Sequence, residues 1–290
     1  MADAVAKRVE PGEPNAVFPQ TCARSGTLAL VIFRRVFASL RRQDWAAVVV
    51  ELVVVVAGVF IGLQASNWNE GLKTDEKAAD FTQRLRADLR EEAWAYEYEI
   101  GYSDEVIANA KRAADALSGK TPMQDAALLV VAYRATQYVF NASRRATYDE
   151  LTSTGEIGLI HDPALRDLAM RLYTMPIFKR IFDEGENNPY RRAFRMAISY
   201  EVQQELAAAC GDRVVPPGDY EGIANSLDYP CSPKLSPEIV AASAAVLRND
   251  PQFLQFLRLR IADVGTNQDN LKIYYPEVRG GLQALARGTR

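Results

Sequence analysis

Glu51 is the only ionisable side chain in residues 45–63, WAAVVVELVVVVAGVFIGL, and that isolation sets its chemistry. A carboxylate in hydrocarbon is costly unless it is neutralised, paired or solvated. Three roles follow from its place six residues past Trp45. It can be a protonated, hydrogen-bonded acid at a helix–helix contact, which is the main expectation. It can reach back to the near surface and pair with Arg41 or Arg42. It can relay protons, like the intramembrane carboxylates of ion-driven complexes.

The other reactive side chains point away from catalysis. A single histidine, His161, excludes sites that need two, and its place before Asp162-Pro163 reads as a surface residue at a helix start. Asp149-Glu150 stands near Thr152, Ser153 and Thr154. Adjacent residues on a helix point in different directions, so this reads as a solvated helix end with Gly155 beyond it. Arg144, Arg145, Arg191, Arg192 and Arg195 are expected to pair with nearby acids rather than bind an anionic partner. No phosphate-binding loop, nucleophile elbow, C-x-x-C or H-E-x-x-H motif occurs. The expectation is a protein that is not an enzyme, with no catalytic, cofactor-binding or metal-binding residue. The formal net charge of −3 argues against nucleic acid as a partner.

Residues 45–63 are one helix by composition. At 1.5 Å per residue they cover roughly 28 Å, close to the hydrocarbon thickness of a bilayer. Trp45 and Trp68 flank the run as interface anchors, with Arg41 and Arg42 on the near side. The run begins after 44 residues, too late for a cleaved signal peptide, so a transmembrane helix over 44–66 acting as a signal anchor is expected. Residues 24–42 hold five arginines and no acid, whereas Glu70, Asp75, Glu76 and Asp80 outnumber Lys73 and Lys77 beyond the span. The excess of arginine places the N-terminus in the cytoplasm and residues 67–290 across the membrane. In a Gram-negative bacterium that side is the periplasm.

On a helical wheel with Glu51 at zero, Ala47, Gly58, Gly62 and Ala65 fall within about 40°. One stripe therefore carries the only charge and most of the small residues. Gly58-x-x-x-Gly62 lets a second helix approach closely, and an ionisable group prefers protein to lipid. Both features select the same helix-contact face. A homo-oligomer or another membrane protein is the expected partner.

Before the span, residues 1–25 read as a disordered cytoplasmic tail. Residues 26–43 read as a basic amphipathic helix on anionic lipid, with Ala29, Leu30, Phe33, Val36, Phe37 and Leu40 on one arc. Docking of this arm on a cytoplasmic partner is the alternative.

The segment Glu51-x6-Gly58-x3-Gly62-x-Gln64-x3-Trp68-Asn69-Glu70 resembles a family of uncharacterised bacterial single-span membrane proteins. Residues 60–70, FIGLQASNWNE, carry the likeness. Thr147-Tyr148-Asp149-Glu150-Leu151 followed by Gly155 is similar to a second recurrent stretch of that family. Gly62 stands where many members have alanine. The resemblance implies a single span and a mostly helical extramembrane domain, and it implies no activity; with the charge asymmetry above, the expected location is the bacterial inner membrane.

Beyond the span, the pattern predicts an all-α bundle, with no sustained period-2 alternation. An amphipathic helix is expected over 72–117, continuous with the span or interrupted at Gly101, ending at Ser118-Gly119. Further helices are expected from Thr121-Pro122 to about 141, over about 144–153, and from Asp162-Pro163 to about 184 with a kink at Pro176. Others follow from Pro189 to Gly211, from Ser236-Pro237 to about 247, and from Asp250-Pro251 to about 274.

Residues 211–235, rich in Pro and Gly, read as a long loop that Cys210 and Cys231 bracket. On an oxidising side these two are a plausible disulfide, worth about 3 kcal/mol by loop closure. Cys22, on the cytoplasmic side, is expected to stay reduced. The functional expectation is a membrane-anchored scaffold or sensor that assembles through its span. The alternative is an accessory subunit of an ion-driven or transport complex, with Glu51 as its functional carboxylate.

Overall fold

A computed structural model describes residues 45–139 and 143–288. The described residues are helical with no strand. The helices are α1 (Trp45–Leu117), α2 (Asp125–Arg134), α3 (Ala146–Ser153), α4 (Pro163–Thr174), α5 (Ile177–Glu186), α6 (Pro189–Ala197), α7 (Tyr200–Cys210), α8 (Pro237–Asn249), α9 (Gln252–Asp269) and α10 (Pro276–Ala286). A 3-10 turn, Ile157–Leu159, precedes α4, and a π-helical turn, Asn270–Tyr274, follows α9. The chain divides into two units, residues 1–70 and 71–290. The first holds the apolar start of α1, which is long and apolar enough to cross a membrane.

In the second unit, α1 supplies the spine of two cores. Phe81, Leu85, Leu89, Ala93, Tyr96 and Ile100 recur at spacings of three and four and pack with α3, α4 and α10 through Leu151, Leu168, Leu172 and Leu282. Farther along, Ala110 and Ala113 face Leu128 and Leu129 of α2, Tyr190 and Phe194 of α6, and Phe253 and Leu257 of α9. The hydroxyls of buried Tyr96 and Tyr190 donate to the carbonyls of Leu271 and Ala132, so each ring is buried without an orphaned polar tip.

Local signals set several boundaries. Asp162 caps α4 by accepting from the Ala164 and Leu165 amides, with Pro163 in the first turn. Asn188 and Ser236 do the same before Pro189 and Pro237. Gly119 and Gly155, at φ 74° and 73°, adopt the left-handed conformation just past α1 and α3.

Other expectations are corrected. Thr121-Pro122 does not open α2, which starts at Asp125 after a turn closed on Asp115 by the Lys120 and Thr121 amides. Helix α2 ends at Arg134, short of 141, where Arg134 turns inward. Pro176 ends one helix and caps the next instead of kinking a single one. The stretch after Pro189 is likewise two helices, broken at Ile198-Ser199. Helix α10 lies beyond the last helix that the sequence pattern predicts. Its Gly280-Gly281 pair looks like a breaker, yet Val278, Leu282 and Leu285 are buried.

Helix α1 continues through Gly101. A Cβ there would come within 2.4 Å of the Ile223 side chain, so the glycine lets the 211–235 loop approach the helix. Gly101→Leu is expected to destabilise the domain by about 1–3 kcal/mol through overpacking. Gly71→Ala, on the same helix with nothing within 4 Å of its site, is expected to be neutral or stabilising. Thermal unfolding of both variants checks the contrast.

Candidate functional site

The stripe of Ala47, Glu51, Gly58, Gly62 and Ala65 lies on the apolar part of α1, and all five residues are exposed. A Cβ at Gly58 or Gly62 would meet no atom within 4 Å, so none of the described residues fills the groove those glycines leave. The 18-residue turn count also places Asn69 on the Glu51 line. Trp45 and Trp68 are exposed at either side of the apolar run. Arg41, Arg42, Cys22, the basic helix expected over 26–43 and the tail over 1–25 lie outside the described residues.

In the second unit the 211–235 loop is a built structure. Cys210 and Cys231 are joined by a disulfide, with Cα atoms 5.4 Å apart. Arg134, buried, ties both ends of the loop. It donates to the Cys210 carbonyl at 3.1 Å, the Tyr229 carbonyl at 2.7 Å and the Asp228 carboxylate at 3.2 Å, and lies over the Tyr229 ring. Arg112 of α1 grips Asp228 through both carboxylate oxygens. Glu105 of α1 accepts from the amides of Asn225, Leu227 and Asp228 at 2.5–2.6 Å. That carboxylate holds Asn225 at φ 83°, a left-handed conformation asparagine tolerates. The Trp94 indole donates to the Asp219 carbonyl, and the Tyr102 hydroxyl donates to Asp212.

The fixed loop walls a groove of about 730 Å³ against α1 and α10. Its floor is Ala93, Ile100 and Gly101, its loop wall is Tyr220, Ile223 and Ala224, and its far wall is Gln283, Ala286 and Arg287. The three acids along it are engaged. Glu97 takes a two-bond grip from Arg279 and a third bond from Gln283. Asp104 takes Lys272 and Gln268. Glu105 takes the loop amides. Sequence reasoning missed this groove because its floor on α1 lies more than 100 positions from its loop wall, and the Pro and Gly content and the cysteine pair marked the loop but not what it packs against.

Two further acids are buried on α1. Glu92 accepts from Ser143 at 2.9 Å and from the Arg144 amide, yet burial still raises its pKa. Glu99 accepts from Ser103 at 3.2 Å, and burial pushes it up to about 7. Arg260, buried nearby and bonded to the Ala135 and Gln137 carbonyls, is lowered to about 10 by burial.

The Glu99 shift has a definite sign. The folded chain holds the proton more tightly than an ordinary glutamate, so the stability from this group is full below pH about 4.5 and is lost as pH rises through about 7. The loss is roughly 3 kcal/mol. Glu99→Gln is therefore expected to resemble wild type at pH 4.5 and to exceed it in thermal stability at pH 8.

The remaining sequence candidates do not converge. Asp149 pairs with Arg145, and Glu150 pairs with Arg84. Arg144 pairs with Glu91, and Arg191 donates to the Thr136 carbonyl. Trp94 and Tyr98 stack at 5.0 Å as packing between α1 and the loop. Among the described residues no group of three or more His, Cys, Asp or Glu is placed to hold a metal ion. No family model, curated protein or solved structure matches this chain.

Proposed function

We propose that this chain is a non-enzymatic, single-pass scaffold or sensor of a bacterial inner membrane, with its N-terminus in the cytoplasm and its helical domain outside. It assembles with copies of itself through the Ala47–Glu51–Gly58–Gly62–Ala65 face of α1. The observation that carries the reading is the coincidence on one exposed face of the run's only ionisable group with two glycines that no atom of the described residues approaches. Close packing of a second helix there would bring Glu51 against its counterpart as a shared hydrogen bond and remove it from lipid. The disulfide supports the outward orientation, because a bond of this kind persists in an oxidising compartment.

Gentle extraction of native membranes, affinity capture and mass measurement of intact complexes test the reading. A homo-oligomer in wild type that becomes a monomer in Gly58→Leu supports it. A distinct multi-span partner in place of a second copy would transfer the chain to the accessory-subunit reading. A monomer in wild type would remove the basis for the contact face.

A further inference from the structure

The groove beside the disulfide loop has the features of a ligand site, and its charges select the ligand. Its volume of about 730 Å³ lies within the usual range for small-molecule clefts. Its floor and loop wall are apolar and pre-formed. Gly101 admits the loop to contact distance, Glu105 fixes the turn at residues 225–228, and the Cys210–Cys231 bond closes the loop base. Such a wall needs no ordering when a ligand enters, which lowers the cost of binding.

The carboxylates along the groove already have partners. Glu97 and Asp104 are neutralised by Arg279 and Lys272, and Glu105 is surrounded by three amides. A cationic ligand would have to displace those bonds. Arg287, at the end of α10, lines the groove and has no ion pair among the described residues. A guanidinium with no acid partner among the described residues, beside the apolar floor and loop wall of the groove, suits a ligand carboxylate, which it can grip with two parallel bonds.

We infer that this groove binds a small amphiphilic anion, with its apolar body between Ile100, Ile223 and Ala286 and its carboxylate on Arg287. The inference does not rest on self-association through the span, so either can fail alone.

Calorimetric titration of the full chain in lipid nanodiscs tests it, with octanoate as the probe, octylammonium as its charge-reversed counterpart and empty nanodiscs as the blank. One saturable octanoate site per chain is expected, with octylammonium at least tenfold weaker. Arg287→Gln is expected to weaken octanoate at least tenfold at unchanged melting temperature. Ala286→Trp, at an exposed groove position, is expected to abolish binding by filling the cleft. Octanoate uptake no greater than that of empty nanodiscs would overturn the inference. Equal or tighter binding of octylammonium would do so too, as would octanoate affinity indifferent to both substitutions.

Discussion

Replacing Cys210 and Cys231 together by serine is expected to lower the stability of the helical domain by about 3 kcal/mol. The bond closes a loop with a sequence separation of 21, and release of that constraint enlarges the unfolded ensemble by an entropy of this size. The folded state is expected to keep its loop anchored. Arg134 still reaches the Cys210 and Tyr229 carbonyls, and Glu105 still takes three amides. The double variant should thus melt earlier but give a near wild-type pattern of amide protection in residues 225–228. Loss of protection there at temperatures where the helices remain folded would show that the disulfide holds the loop and the polar anchors do not.

The second large effect belongs to the span. Gly62→Leu is expected to weaken self-association at least about tenfold, which is about 1.4 kcal/mol. A leucine side chain would stand in the groove along which a second helix is proposed to approach, where a Cβ meets nothing among the described residues. Phe60→Leu, on the opposite side of the wheel, is expected to leave association unchanged. Förster transfer between labelled chains in vesicles, diluted with unlabelled lipid, measures the difference. Glu51→Gln separates two roles for the carboxylate. An amide keeps the capacity to hydrogen-bond across a helix pair, so association should survive, whereas Glu51→Ala should weaken it.

The sequence disclosed features whose causes are local. The apolar run with its two flanking tryptophans is read directly from composition. Asp162-Pro163, Ser236-Pro237 and Gly155 mark helix ends because a cap or a left-handed residue acts within one turn. Misreadings arose where a distant contact decided the outcome. Gly101 looked like a possible helix interruption, but its role is to admit Ile223, which lies over 100 residues away. Gly281 sits where Leu168 leaves room for little more than hydrogen, so α10 uses the residue for close packing. Thr121-Pro122 carried a good local signal that lost to the turn built on Asp115.

The candidate sites divide the same way. The stripe on α1 was legible because it follows from 3.6-residue periodicity alone. The loop anchors were not. Arg134 and Glu105 are ordinary charged residues on amphipathic helices until folding sets them against residues 225–229. The engaged and unengaged charges of the groove depend on pairings such as Glu97 with Arg279, which no spacing rule connects.

One face of the apolar helix is expected to meet a second copy of the chain. Single cysteines placed in turn along residues 47–66, in a chain with Cys22 replaced by serine, test it in native membranes by disulfide crosslinking. Crosslinked dimer is expected to peak at positions 47, 58, 62 and 65 and to fall to background at 49, 53 and 60, tracing a period of about 3.6 residues. Crosslinking spread evenly around the helix, or absent at every position, would contradict it.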